Sequence, residues 1–116
     1  MHGLPPDFDP SVFVGRELEQ VCFTVNTVSL AFDDDIMITL EGAFVVRAAS
    51  GGEVKQSPPI ESSGITALLG QRVSVASASE GTLLLQFEGG GSVACLDESP
   101  EYESYHIVLR QREIHV

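Results

Sequence analysis

Two short stretches of the chain alternate between apolar and other residues with the same period. Residues 28–32 read VSLAF and residues 83–87 read LLLQF, with an apolar side chain at the first, third and fifth position of each. Successive side chains of a β-strand point to opposite faces, so a period of two predicts a strand that buries one face. Both stretches are therefore predicted to be strands, with Phe32 and Phe87 buried in one shared core.

The similarity extends to a longer repeat, in which residues 14–40 align with residues 69–96 at a constant shift of 55 positions. Gly15 falls on Gly70 in this alignment. Glycine suits the left-handed residue that follows a helix, so each copy is interpreted as a helical turn followed by three strands joined by tight turns. We interpret residues 1–116 as a single domain that contains this internal repeat.

The two copies differ after their third strands. In the first copy the apolar positions from Ile36 to Ala48 keep one phase across Gly42, which predicts a long strand bent at the glycine. In the second copy the strand stops at Leu96. Residues 50–59 read SGGEVKQSPP and are predicted to form the loop between the copies.

These patterns together predict a mainly β fold. We expect one or more antiparallel sheets, or a half-barrel, of about seven strands built from the two repeats, with one short helix near 60–69. A length of 116 residues, 43% of them apolar, suffices for one hydrophobic core but not for two domains.

The cysteines and the N-terminal segment favour a cytoplasmic protein. Cys22 and Cys95 lie in apolar runs and lack the close spacing of a metal site, so both are predicted to be reduced and buried. The opening residues lack the basic and apolar regions of a secretory signal, and no apolar run reaches the ~20 residues that cross a bilayer.

The charge balance restricts the class of partner. Seventeen acidic residues against six basic ones give a formal net charge of −11. Such a charge repels nucleic acids and anionic membranes, so neither is an expected partner. It favours solubility, association with a basic protein, or binding of a hard cation.

Catalytic and metal-binding patterns are absent from the sequence. It contains neither a G-x-S-x-G nucleophile motif nor a glycine-rich phosphate loop that opens a helix. The adjacent carboxylates of Asp33–Asp35 do not match the spaced ligands of a calcium loop. We therefore predict no enzyme activity, no cofactor and no metal site, and we interpret Asp33–Asp35 as either a solvated hairpin tip or a docking patch.

The most unusual segment is DESPEYESYH, residues 97–106, which holds four carboxylates and two tyrosines in ten residues. Its tyrosines could contact the core with their hydroxyl groups in water, or they could be contact residues for a partner that the carboxylates attract. The candidate partner-binding residues are Asp97, Glu98, Glu101, Tyr102, Glu103 and Tyr105, with Asp33, Asp34 and Asp35 as a secondary patch.

The run from Gly70 through VSVASASEGTLLLQFEGGGSV to YESYHI at 102–107 resembles a group of small bacterial proteins of uncharacterised function. Members of that group carry a glycine-led strand pair, an L-x-F-x-D/G-G hairpin and a Y-E-x-W/Y segment near the C-terminus. Tyr105 stands at the final aromatic position, where Trp is frequent.

In size, acidity and β content the chain also resembles immunity proteins of contact-dependent growth inhibition and related polymorphic toxin systems. That resemblance implies a cytoplasmic inhibitor that occludes one basic cognate toxin domain, often a nuclease, and needs no catalytic residues. The alternative is a small ligand-binding or scaffold β domain whose charge serves solubility.

Overall fold

The structure of the chain is a computed structural model that describes four stretches of backbone: 8–58, 64–97, 104–109 and 112–116. Within the last stretch, side chains are described at Ile114 and Val116 only.

Short helices and strands follow one another in the same order in both halves of the chain. The first half contains the 3₁₀ helix η1 (Pro10–Phe13) and the strands β1 (Leu18–Phe23), β2 (Val28–Phe32), β3 (Ile36–Leu40), β4 (Phe44–Arg47) and β5 (Glu53–Gln56). The second half contains the 3₁₀ helix η2 (Gly64–Leu68) and the strands β6 (Val73–Ser79), β7 (Thr82–Phe87), β8 (Ser92–Cys95), β9 (Tyr105–Leu109) and β10 (Arg112–His115).

The predicted mainly β class and the short helix near 60–69 are confirmed. The described residues form ten strands where the sequence indicated about seven. One reason is that β3 and β4 are separate strands. Another is that β5, an edge strand whose residues are mostly exposed, lacks the apolar alternation by which strands were recognised.

Two antiparallel five-stranded sheets contain these strands. The first has the order β1-β2-β3-β9-β10, and the second has the order β5-β4-β8-β7-β6. The three repeated strands of each half are therefore completed by a hairpin from the other half. The chain crosses between the sheets after β3 and again after β8.

The strand registers repeat at the predicted shift. Leu18 pairs with Phe32 between β1 and β2, and Val73 pairs with Phe87 between β6 and β7. Each pairing is followed by an irregularity at the same place, within the next two residues of the first strand. The repeat recognised in the sequence is thus present in the hydrogen-bond pattern as well as in the order of elements.

Reciprocal hydrogen bonds join the two halves. The Gly15 N–H donates to the Val73 carbonyl at 2.8 Å, and the Gly70 N–H donates to the Leu18 carbonyl at 2.8 Å. Both glycines have φ of +83°, in the left-handed region that favours glycine after a helical turn. Because donors and acceptors differ by the same 55 positions, the halves are related by an approximate two-fold axis.

The helical turn before β1 begins at a capping residue. Asp9 is the N-cap of η1, and its carboxylate accepts a hydrogen bond from the Ser11 N–H at 3.0 Å, while Pro10 occupies the first turn. The hydrogen bonds from Ser11 lower the pKa of Asp9 from its ordinary value.

Apolar side chains of both sheets form one core. The alternating residues of β2 and β7 are buried in it, as predicted: Val28, Leu30, Phe32, Leu83, Leu85 and Phe87. Phe13 of η1 is fully buried and meets Phe32 edge to face, with ring centroids 5.6 Å apart. In the second half Leu68 of η2 takes the position of Phe13.

The predicted long strand across Gly42 is wrong. β3 ends at Leu40 and β4 begins at Phe44 in the other sheet, so the three residues between them cross from one sheet to the other. A Cβ at Gly42 would lie 3.3 Å from the Ser104 Cα, which shows how closely the two crossing segments approach. The apolar phase continues because both strands face the same core.

The prediction for the cysteines is correct for one residue and wrong for the other. Both thiols are free, Cys95 is buried and Cys22 is exposed. Cys22 pairs with Ser29, and this pair lies on the outer face of the first sheet because the neighbouring pair Val21–Leu30 faces inward. An apolar run on an edge strand thus did not imply burial at every position.

The helices in the described stretches contain four and five residues, so none of them has the length or apolar content to cross a bilayer.

Candidate partner-binding surface

Asp97 follows β8 and packs against the tight turn between β6 and β7. Its Oδ2 atom would lie only 2.7 Å from a Cβ placed at Gly81, and the Ser104 hydroxyl donates to its Oδ1 at 3.4 Å. Glu80 and Gly81 have φ of 52° and 84°, as a two-residue hairpin turn with two left-handed residues requires. Asp97 therefore lies partly buried beside a tight and strained turn.

Tyr105 lies in the core, which corrects its assignment to the binding surface. Its side chain is fully buried, and its hydroxyl donates a hydrogen bond to the Gly81 carbonyl. Burial raises the pKa of Tyr105 well above its ordinary value, with smaller contributions from Cys95 and Asp97. Tyr105 thus supports the turn from inside and has no exposed area to offer a partner.

Cys95 lies in the same buried region, where it pairs with Phe44 across β8 and β4. Burial raises the pKa of its thiol to about 12. The neutral thiol is therefore the stable form at physiological pH, and Cys95 acts as a small apolar core residue.

Four of the sequence candidates lie outside the described residues: Glu98, Glu101, Tyr102 and Glu103. The residues on either side of this segment are described, and both are anchored. Asp97 packs on Gly81, while the Ser104 carbonyl accepts hydrogen bonds from the N–H groups of Glu41 and Gly42 at 2.9 and 2.7 Å. Because Asp97 and Ser104 contact each other, the segment begins and ends beside the β6–β7 turn.

The secondary patch is at the β2–β3 turn and is partly neutralised. Asp33 lies 3.7 Å from Arg16 and 3.7 Å from Arg72, and Asp34 lies 3.6 Å from Arg16. Asp34 and Asp35 are exposed, with φ of 63° and 59°. The two arginines hold Asp33 in a network of ion pairs. Asp34 and Asp35 are therefore the more accessible carboxylates of the secondary patch.

Asp97 and the Asp33 network, the described parts of the two acidic regions, lie near opposite ends of β7. The Gly81 turn lies at the start of β7. The Asp33 network lies near the other end of β7, because Asp33 contacts Arg72 and the next residue, Val73, pairs with Phe87 at the end of that strand. Five residue steps at about 3.4 Å each put these ends roughly 17 Å apart. A partner could contact both Asp97 and the Asp33 network only through a surface of at least that width.

Two surface hollows occupy equivalent places in the two halves. The larger, of about 480 Å³, lies between the β4–β5 hairpin, η2 and the residue before β8. The smaller, of about 380 Å³, lies between η1, the start of β3 and the end of β9. Four residues of the larger hollow are equivalent to residues of the smaller one: Ala67 to Val12, Gln71 to Arg16, Gly91 to Ile36, and Ala48 to Leu109.

Among the described residues that line the two hollows, only Asp34 of the smaller one was a sequence candidate. The 55-residue alignment nevertheless contains a signal, since it sets the neutral Gln71 against Arg16. The equivalence of Ala48 and Leu109 could be recognised only after the crossing strands had been placed, because these two residues are 61 positions apart. Among the described residues, no group of three or more His, Cys, Asp or Glu side chains is placed to hold a metal ion.

Comparison with known proteins gives a family but no activity. The model of a family of unknown function, DUF6188, matches residues 10–116. The chain belongs to DUF6188. No curated protein and no solved structure matches it.

The DUF6188 match covers both repeats and both crossing hairpins. It agrees with the resemblance to proteins of uncharacterised function that the sequence motifs indicated. Membership in DUF6188 does not itself imply an immunity function.

Proposed function

We propose that this DUF6188 protein is a cytoplasmic immunity or inhibitor protein that binds a basic cognate toxin domain and occludes its active site. A nuclease is the expected class of toxin, because an enzyme that binds nucleic acid presents a positively charged surface. The observation that carries the proposal is the net charge of −11, part of which is concentrated in the segment from Asp97 to Glu103.

The anchoring of this segment supports a role in recognition. Asp97 packs against the β6–β7 turn, and Ser104 is hydrogen-bonded to Asp97 and to the backbone of Glu41 and Gly42, so both residues that flank the segment are anchored. A binding segment held at both ends loses less conformational freedom when a partner binds than one attached at a single end. Three carboxylates and Tyr102 lie within this span of six residues.

Long-range attraction and close contact should contribute separately to binding. Exposed carboxylates raise the rate of association with a basic protein, and salt weakens that effect. An aromatic anchor buried at the centre of an interface instead lowers the rate of dissociation. The carboxylates of the segment should therefore act mainly on association, and Tyr102 mainly on dissociation.

The first experiment searches the neighbouring genes for a toxin domain, expresses it and measures its binding kinetics with this protein at low and high salt. The triple variant Glu98→Gln, Glu101→Gln and Glu103→Gln should associate more slowly and with a flatter salt dependence. The matched control is Glu19→Gln, Glu53→Gln and Glu88→Gln, which removes the same charge from exposed positions elsewhere. Equal effects of the two triple variants would show that only the total charge matters.

The second experiment compares the two tyrosines. Tyr102→Ala should speed dissociation from the toxin domain by the equivalent of about 2 kcal/mol or more if Tyr102 is an interface hot spot. Tyr105→Phe should change dissociation much less than Tyr102→Ala does, because Tyr105 is buried and cannot contact the partner. Unchanged kinetics in Tyr102→Ala and in the first triple variant would place the interface elsewhere.

A further inference from the structure

The approximate two-fold symmetry allows each hollow to be compared with its equivalent. Arg16 in the smaller hollow forms ion pairs with Asp33 and Asp34. Its equivalent Gln71 is neutral and donates to the Ala67 carbonyl at 3.2 Å, while its Oε1 accepts from the Gly89 N–H at 3.1 Å. The larger hollow has thus lost the charged pair, and the amide that replaces it is hydrogen-bonded within the protein.

The larger hollow has also lost apolar volume at its walls. Ala48 replaces Leu109 and Ala67 replaces Val12, so several methyl groups that line the smaller hollow have no equivalent in the larger one. Gly91 has a different role: a Cβ there would lie 2.7 Å from Leu68 Cδ2, so its missing side chain lets η2 pack closely. The two alanines are therefore the positions that open the hollow.

The open space leaves apolar surface exposed. Val54 pairs with the buried Val46 on the inner face of the β4–β5 hairpin, yet 57% of Val54 is exposed where it lines the hollow. Arg47 is the one charged residue among the described walls. Strand alternation directs its side chain to the face opposite Val46, and Arg47 is exposed.

We propose that the larger hollow, between the β4–β5 hairpin and η2, binds a small, neutral, largely apolar molecule. Its volume of about 480 Å³ lies within the usual range of small-molecule sites. The described walls are mainly glycine, alanine, valine and leucine, with the amides of Gln56 and Gln71 as their neutral polar side chains. Because Arg47 is directed away, a charged ligand would lose its hydration without gaining a counter-charge from the described walls, whereas a neutral apolar ligand would cover Val54.

The test uses two fluorescent probes that differ by one charged group: neutral N-phenylnaphthylamine and its sulfonated anion, anilinonaphthalene sulfonate. The folded protein should bind the neutral probe with a stoichiometry of one and should bind the anion at least about tenfold more weakly. The neutral probe should also raise the thermal midpoint of unfolding, since it binds the folded state. Equal affinity for the anion would overturn the assignment to a neutral ligand.

Filling variants import the residues of the smaller hollow. Ala48→Leu and Ala67→Val should each reduce affinity for the neutral probe at least about tenfold, because their side chains occupy the hollow. Ala78→Leu is the matched control at an exposed position of β6 and should bind as the wild type does. Binding that survives both filling variants, or that fails in the wild type, overturns the proposal.

A measurement on the unmodified protein decides the matter if the filling variants fold poorly. Amide chemical-shift changes on titration with the neutral probe should concentrate at Ala48, Gly52, Ala67 and Gly91. Changes centred on the smaller hollow, or spread over the whole chain, would contradict a site at the larger one.

Discussion

The β1–β2 turn and the β6–β7 turn occupy equivalent positions in the two halves, but different interactions hold them. The first is closed locally: the Thr24 and Thr27 hydroxyls lie 2.6 Å apart, and the Thr27 N–H donates to Thr24 Oγ1 at 3.1 Å. The second is held by Tyr105, whose hydroxyl reaches Gly81 from a strand of the other sheet.

This difference follows from the crossing segments. Phe44 pairs with Cys95, and Tyr105 pairs with Leu40. Because Leu40 and Cys95 are related by the 55-residue shift, Phe44 and Tyr105 are equivalent. The shift between them is 61 residues rather than 55, so the second crossing contains six additional residues. The second half thus combines a longer, acidic crossing with a tyrosine that fastens its end to the neighbouring turn.

Loss of core side chains should give the largest effects and tests whether the halves are equivalent. Phe32→Ala and Phe87→Ala should each lower the free energy of unfolding by about 3–5 kcal/mol, since each side chain is 3% exposed. Phe32 also has the edge-to-face contact with Phe13, so its loss should be larger by up to about 1 kcal/mol.

Urea denaturation with unchanged m-values provides the measurement. Gln86→Ala, at an exposed position of β7, is the control and should change stability by less than about 0.5 kcal/mol. A loss below about 1 kcal/mol for either phenylalanine variant would mean that its half is not packed as described.

The sequence was sufficient to predict the repeated part of the fold, because each step there depends on local signals. Period-two alternation identified β2 and β7. The preference of glycine for the left-handed position after a helix identified Gly15 and Gly70 as the ends of helical turns. The crossing could not be predicted in the same way. Apolar residues on both sides of Gly42 face one core whether the chain continues in one sheet or moves to the other, so periodicity does not distinguish these paths.

The candidate site shows the same limit. Composition indicated an acidic segment, but the choice between a core tyrosine and a surface tyrosine depends on which strand lies beside it. Tyr105 is buried because β9 lies beside β3 in the interior of the first sheet, a long-range pairing with no local signal. The residues of the larger hollow were not predicted, because only a comparison with the equivalent residues of the smaller hollow shows which side chains are reduced in size or charge.

Removal of one hydroxyl should have an intermediate effect and tests how the second turn is held. Tyr105→Phe makes that position resemble Phe44 and leaves the Gly81 carbonyl without the hydroxyl donor. The expected loss is about 1–2 kcal/mol of unfolding free energy, typical of a partly buried hydrogen bond. Thermal or urea unfolding at neutral pH measures it. Unchanged stability would mean that the turn is fixed by Asp97 and its own backbone.

Alkaline pH provides a control with a defined sign. The pKa of Tyr105 is raised on folding, so this residue stays protonated in the folded protein above pH 10, where an unfolded tyrosine ionises. The contribution of Tyr105 to the free energy of unfolding is therefore complete below the pKa of tyrosine in the unfolded chain. It declines by about 1.4 kcal/mol per pH unit as the pH rises above that value. Tyr105→Phe should lose this part of the alkaline decline, whereas Tyr102→Phe should keep it.

The smallest expected effect concerns Arg72, which occupies the place of Glu17 across the approximate axis. Its guanidinium lies 3.6 Å from Glu17 and 3.7 Å from Asp33, and 49% of its side chain is exposed. Arg72→Gln should therefore cost about 1 kcal/mol or less at low salt. The difference from the wild type should shrink in high salt, because screening weakens exposed ion pairs.

The same variant sharpens the comparison of the two acidic regions. Arg72→Gln removes one of the cations that neutralise Asp33, so a basic partner that docks on Asp33–Asp35 should associate faster with it at low salt. Arg47→Gln, which removes a cation from β4, is the matched control for net charge. If both variants speed association equally, Asp33–Asp35 contributes only to the overall field, and recognition rests on the segment beside the Tyr105-held turn.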